Sequence, residues 1–155
     1  MFRLGKMTDY GVVVLGQLAG QHGRTLSAPE IADATGLAGS TVSQVLKTLA
    51  AAGIVTSRRG ARGGYHLARA PETVTVRELV VAFEGPLAVT ACVEGATDNC
   101  AVESLCLLAG GWEQVNTAIR TALDSVTLAD LLHPIIHFGI EAEKSLPSAK
   151  LEAHS

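Results

Sequence analysis

Apolar residues in the first seventy positions recur mainly at helical spacing. In TDYGVVVLGQLAGQ (8–21), Tyr10, Val14 and Leu18 follow at i, i+4 and i+8, and Val13 and Leu15 widen the stripe. That pattern predicts a helix, with Thr8 expected to cap its start by accepting from an orphan backbone N–H. HGR breaks the period. In SAPEIADATG, Ser27 and Glu30 have the spacing of a capping box, Pro29 suits a first turn, and Gly36 is a stop, giving a helix of about two turns. After the short LAG turn, STVSQVLKTLAAA (40–52) places Val42, Val45, Leu46 and Leu49 on one face and Ser40, Thr41, Gln44, Lys47 and Thr48 on the other. A short helix, a tight glycine turn and a second helix with a small polar outer face form the helix-turn-helix pattern.

The period then changes. IVTSRRGARGGYHLAR carries β-favouring residues at Ile54, Val55, Tyr65 and Leu67, separated by Arg58, Arg59 and Arg62 and by glycines at 60, 63 and 64. This predicts a hairpin with a cationic, glycine-rich tip, a wing whose arginines can meet phosphate and whose glycines let backbone approach backbone. GARGG lacks the spacing and the Lys-Ser/Thr ending of a nucleotide loop.

The second half returns to helical spacing. TVRELVVAFE (75–84) opens with Thr75 and Glu78, a further capping box, and ends at Gly85-Pro86. Leu105, Leu108, Trp112, Val115, Ile119 and Leu123 then mark a helix of about five turns with a single apolar stripe. It is longer than a small winged domain needs for its own core, and is expected to be a dimerisation helix. Thr127 and Asp130 in TLADLL start one more helix. The expected fold is mainly α with a small β-hairpin. Residues 1–70 form a winged helix-turn-helix domain, 71–132 a helix, cysteine loop and dimerisation helix, and 133–155 a tail.

Charge sharpens the picture. Residues 1–70 hold eight Lys/Arg against three Asp/Glu, and 71–155 hold four against twelve, so the net charge of −3 conceals a basic first half. A basic half suits a polyanion such as double-stranded DNA. Ser, Thr and Gln on the second helix of the motif can read base edges, and Lys can hold phosphate. No run approaches the roughly 20 apolar residues of a membrane helix, and MFRLGKMTDYG lacks the apolar core of a signal peptide. A cytoplasmic, reducing location is expected, where free thiols survive.

All three cysteines fall within TACVEGATDNCAVESLC (90–106), at spacing C-x7-C-x5-C. An odd number cannot close into disulfides. Zinc sites use paired C-x2–4-C ligands, which are missing. One disulfide with a spare thiol makes a redox switch; a catalytic cysteine needs a base that the sequence does not place. Three thiolates on a loop also suit an iron–sulfur cluster. On the residues alone, cluster and thiol chemistry stand level.

KMTDYG (6–11), LSAPEIADATGLAGSTVSQVLKTLAAAGIV and SRRGARGGYHLAR resemble the Rrf-type bacterial winged-helix regulators, over about residues 1–125. Within that family, TDYG and the cysteine spacing are most similar to regulators of SUF-type iron–sulfur assembly genes. The resemblance implies DNA contacts from Ser40, Thr41, Gln44 and Arg59; Lys47, Arg58 and Arg62 join them on charge and position. It also implies an iron–sulfur cluster on Cys92, Cys100 and Cys106. IscR-like members add a His three residues after the last Cys, where this chain has Ala109. NsrR-like members add an Asp from the first helix of the other subunit, which here is Asp9 of the partner subunit. Glu94, Asp98 and Glu103 compete within the loop, whereas His133 and His137 are read as surface or packing residues. The Asp route favours 4Fe–4S, and IscR-like behaviour favours 2Fe–2S.

The function so implied is a homodimeric regulator, expected to be a repressor and not an enzyme. Its two recognition helices would enter successive major grooves about 34 Å apart. The alternatives are a cluster-free regulator that senses through thiol oxidation, and a cysteine-dependent redox enzyme with a vestigial winged domain.

Overall fold

Helix α1 (Lys6–Gly20) begins two residues before the predicted start. The computed structural model, which describes residues 3–21, 23–97 and 110–133, gives it Gly5 as N-cap, with no side-chain cap. Thr8 is therefore not the cap. It lies inside the first turn, 3 % exposed, and its hydroxyl donates to Glu84 Oε1. The same carboxylate oxygen accepts from the Gly5 N–H at 2.7 Å. An acidic group brought from far along the chain thus meets the orphan donors and positive end of the helix, the role expected of a local hydroxyl. Gly11 is buried in the same helix, and a Cβ there would lie 2.7 Å from Phe83 Cζ, so α1 approaches its neighbour through glycine.

The next two helices follow the pattern that predicted them. α2 (Ala28–Thr35) starts at a complete Ser27–Glu30 capping box and ends at Gly36, whose φ of 70° lies in the left-handed region. α3 (Gly39–Ala51) buries Val42, Val45, Leu46 and Leu49. Strands β1 (Val55–Arg58) and β2 (Gly64–Leu67) pair antiparallel, with Val55 opposite Leu67 and Arg58 opposite Gly64. Leu26 adds a bridge to Tyr65, through N–H to O bonds of 2.9 and 2.7 Å.

A 3₁₀ turn (Pro71–Thr73) leads into α4 (Val76–Glu84), which opens on the Thr75–Glu78 capping box. α5 (Gly111–Asp124) follows, then α6 (Leu128–Leu132), with its own Thr127–Asp130 box. The predicted helix through Leu105 and Leu123 is not continuous. Gly110 precedes α5 at φ 80°, which an α-helix cannot pass through. Leu105 and Leu108 lie outside the described residues.

One core joins the two halves. Val74, Leu79 and Leu128 share a cluster with Val14, Leu15, Ile31, Leu46, Leu49 and Ile54. Each such side chain contributes about 1.5–3 kcal/mol when fully buried. α6 is too short to hold itself. It is fixed by the burial of Leu128 and by backbone bonds Leu128 N–H to Val74 O and Val76 N–H to Val126 O, both 2.8 Å.

Candidate nucleic-acid interface and cysteine loop

The polar face of α3 and the wing tip carry the residues expected to meet DNA. Ser40, Gln44 and Lys47 are exposed, and Thr41 is half-buried at the edge of that face. Arg58, Arg59 and Arg62 are exposed at the wing. Among the described residues, ion pairs engage Arg24, Arg69, Arg77 and Arg120, but none engages the three wing arginines. Their guanidinium groups stay available for phosphate.

The tip also depends on glycine in the way its sequence suggested. A Cβ on Gly63 would lie 2.8 Å from the Gly60 carbonyl oxygen, and one on Gly64 would lie 2.6 Å from the Leu26 carbonyl oxygen. The Thr25 hydroxyl donates to Arg62 O at 3.1 Å and ties the wing to the segment before α2. The wing is thus braced along one side, at Arg62 and Tyr65, while its arginines stay exposed.

Past α4, residues 87–94 run along α5. Cys92 is half-buried, with its Sγ 3.2 Å from the Thr90 hydroxyl. The neighbouring Val93 side chain is 6 % exposed and anchors the segment. Glu113 Oε2 accepts from the Glu94 N–H at 2.9 Å. Arg120 donates through Nη2 to the Glu94 carbonyl and to Leu87 O (3.4 Å), while its Nη1 lies 3.4 Å from Glu94 Oε2. Asn116, 1 % exposed, sits between Leu87 and Arg120: with its nitrogen donating to Leu87 O (3.3 Å), its oxygen accepts from Arg120 Nη2 (3.2 Å), whereas the reverse orientation accepts the Val89 N–H (3.3 Å) instead.

Sequence reasoning missed this polar ridge of Glu113, Asn116 and Arg120. Its signal was present as a second stripe at i, i+3 and i+7 beside the apolar one. In the apolar stripe, Trp112 and Val115 remain 45 % and 43 % exposed, while Ile119 and Leu123 are half-buried.

Of the residues expected to hold iron, Cys92 and Asp9 are described, whereas Cys100 and Cys106 lie outside the described residues, as do Asp98, Glu103, Ala109 and His137. Among the described residues, no three His, Cys, Asp or Glu side chains gather as a metal site. The two described donors nevertheless suit the group. Cys92 offers a soft sulfur as a free thiol. Asp9 is exposed in the first turn of α1, and its side chain makes no hydrogen bond among the described residues. Glu94, a competitor on sequence, already has its carboxylate beside Arg120. His133 is exposed at the end of α6. No helix of the described residues is long and apolar enough to cross a membrane.

Comparison with known proteins agrees with this architecture. The family model described as Rrf2, an iron-dependent transcriptional regulator, matches residues 4–134. An rrf2-like HTH-type transcriptional regulator of Rhodobacter capsulatus is 33 % identical over 131 residues, covering 79 % of this chain and 87 % of that protein. CymR of Bacillus subtilis is 32 % identical over 123 residues, covering 79 % of this chain and 83 % of CymR. The solved structure of that CymR, the global cysteine regulator of its organism, superposes with a TM-score of 0.63 at 31 % identity, over 85 % of this chain and 97 % of the other. IscR of T. potens gives 0.59 at 32 % identity, over 84 % and 86 %. With the winged fold, the basic tip and these relatives together, the chain belongs to the Rrf2 family of DNA-binding transcriptional regulators.

Proposed function

We propose that the chain acts in the cytoplasm as a homodimeric repressor whose cysteine loop is the sensor. Ser40, Thr41 and Gln44 read the operator, while Lys47, Arg58, Arg59 and Arg62 hold its phosphates. Cys92, Cys100 and Cys106 supply three ligands to an iron–sulfur cluster, Asp9 of the partner subunit supplies the fourth, and the genes controlled are those of iron–sulfur assembly. Bound there, the cluster supplies a centre sensitive to iron supply and oxidants, held by soft thiolates and one harder carboxylate.

The observation that carries this reading is the position of Asp9. Its carboxylate is exposed in the first turn of α1 and makes no hydrogen bond among the described residues, which leaves it open to the cysteine loop of a second subunit. A carboxylate that must come from a second subunit can ligate in only one arrangement of the pair. That restriction gives the two arrangements different affinities for the ligand, as any switch requires. Asp9→Ala is expected to keep the fold, shown by circular dichroism, but to lose iron faster than wild type in air. Equal retention would refute the carboxylate ligand.

A second reading is favoured by the likeness to CymR, a cysteine regulator. In it, the same loop senses through its thiols without metal. Iron and acid-labile sulfide in anaerobically purified protein support the first reading; metal-free protein with three titratable thiols supports the second.

A further inference from the structure

We propose that Arg120 is a positioning residue that locks the cysteine loop to α5, so that a change at Cys92 is passed to that helix. The proposal deepens the sensing role given above, but the clamp stands on geometry that both readings share.

Residues on both sides of Cys92 are held by one side chain. Arg120 grips Leu87 O before the cysteine and the Glu94 carbonyl after it, and also lies beside the Glu94 and Glu113 carboxylates. Glu113 closes the loop from its other side by accepting the Glu94 N–H, and buried Asn116 fills the gap between Arg120 and Leu87. The Arg120 side chain is only 23 % exposed, and its planar guanidinium fork is what allows two carbonyls and two carboxylates to be served together. Lysine, a point charge, can keep the ion pairs but not that bridge. On α5, Glu113, Asn116 and Arg120 form a ridge next to the outward-facing Trp112 and Val115. The thiol segment and the exposed apolar face are thereby carried on one rigid helix.

The test uses the full chain with Cys100→Ser and Cys106→Ser, reduced and metal-free, so that Cys92 is its only thiol. Arg120→Met should raise the rate of Cys92 alkylation by iodoacetamide by about tenfold, through local opening of the loop. Arg120→Lys should fall between the two. Arg77→Met, which breaks the 2.8 Å pair with Asp124 at the far end of α5, is the control for general loosening and should leave the rate near that of the parent chain. With Arg120 in place, a bulky maleimide on Cys92 should shift deuterium uptake across Gly111–Asp124; in Arg120→Met it should not. An alkylation rate unchanged by Arg120→Met, an equal rise from Arg77→Met, or an α5 response that survives Arg120→Met would each overturn the clamp. None of these results depends on iron content, so the cluster reading stands or falls separately.

Discussion

The Thr8 hydroxyl donates to Glu84, linking the first turn of α1 to the last residue of α4 across 76 positions of sequence. Because Gly85 and then the cysteine segment follow, this bond fixes the helix start beside Asp9 to the base of that segment. Thr8→Val keeps the shape and removes the donor. It should destabilise the fold by about 1 kcal/mol, a charge-assisted bond discounted for exposure of the carboxylate. A shift in urea midpoint at unchanged m-value measures it.

The carboxylates at helix starts give a direction in pH. Hydrogen bonds from Thr8 and from the Gly5 N–H hold Glu84 below the ordinary glutamate value of 4.5. The Ser27 N–H and hydroxyl do the same for Glu30, and the Thr127 N–H and hydroxyl hold Asp130 below its ordinary 3.8. At Glu78, burial opposes the shift, but the Thr75 N–H and Arg69 outweigh it. The native state therefore holds these protons less tightly than the unfolded chain. Their stabilisation is full above the unfolded values and is lost as pH falls through the lower folded ones. Urea midpoints should be level from about pH 7 to about pH 5.5 as far as these groups decide, then fall, and Glu84→Gln should make the acid decline shallower.

Gly11→Ala drives a methyl group into the Phe83 ring. Alanine ordinarily favours a helix, but overpacking here should win and destabilise by about 1–3 kcal/mol. Phe83→Leu in the same chain should recover part of the loss, read from thermal or urea unfolding of both variants.

In the proposed reading, the wing arginines act on DNA by charge. Replacing Arg58, Arg59 or Arg62 with Ala should weaken binding on all sequences alike and reduce the slope of log affinity against log salt by about 0.9 for each phosphate no longer neutralised. Gln44→Ala should instead change which bases are preferred. Binding isotherms over a salt series, on DNA selected from a random pool, separate the two effects.

What was legible in the sequence was local. Ser27–Glu30, Thr75–Glu78 and Thr127–Asp130 announced helix starts because both halves of each capping box lie within one turn. The wing was legible because arginines and glycines were crowded between two β-favouring runs. Thr8 misled for the same reason: a nearby hydroxyl fits the local rule, whereas its true partner, Glu84, is brought close only by packing. The long helix was overextended because apolar spacing continues through Gly110, and periodicity does not register a positive φ. Arg120 was hidden because its worth lies in the carbonyls of a loop, groups that every residue has and no pattern marks.

The central claim is that the three-cysteine loop holds an iron–sulfur cluster. The direct measurement is iron and acid-labile sulfide per chain in anaerobically purified protein, before and after reconstitution, for wild type and for Cys92→Ser, Cys100→Ser and Cys106→Ser. The account predicts both elements in wild type and their loss in each serine variant. Wild-type protein that holds neither after reconstitution would contradict it.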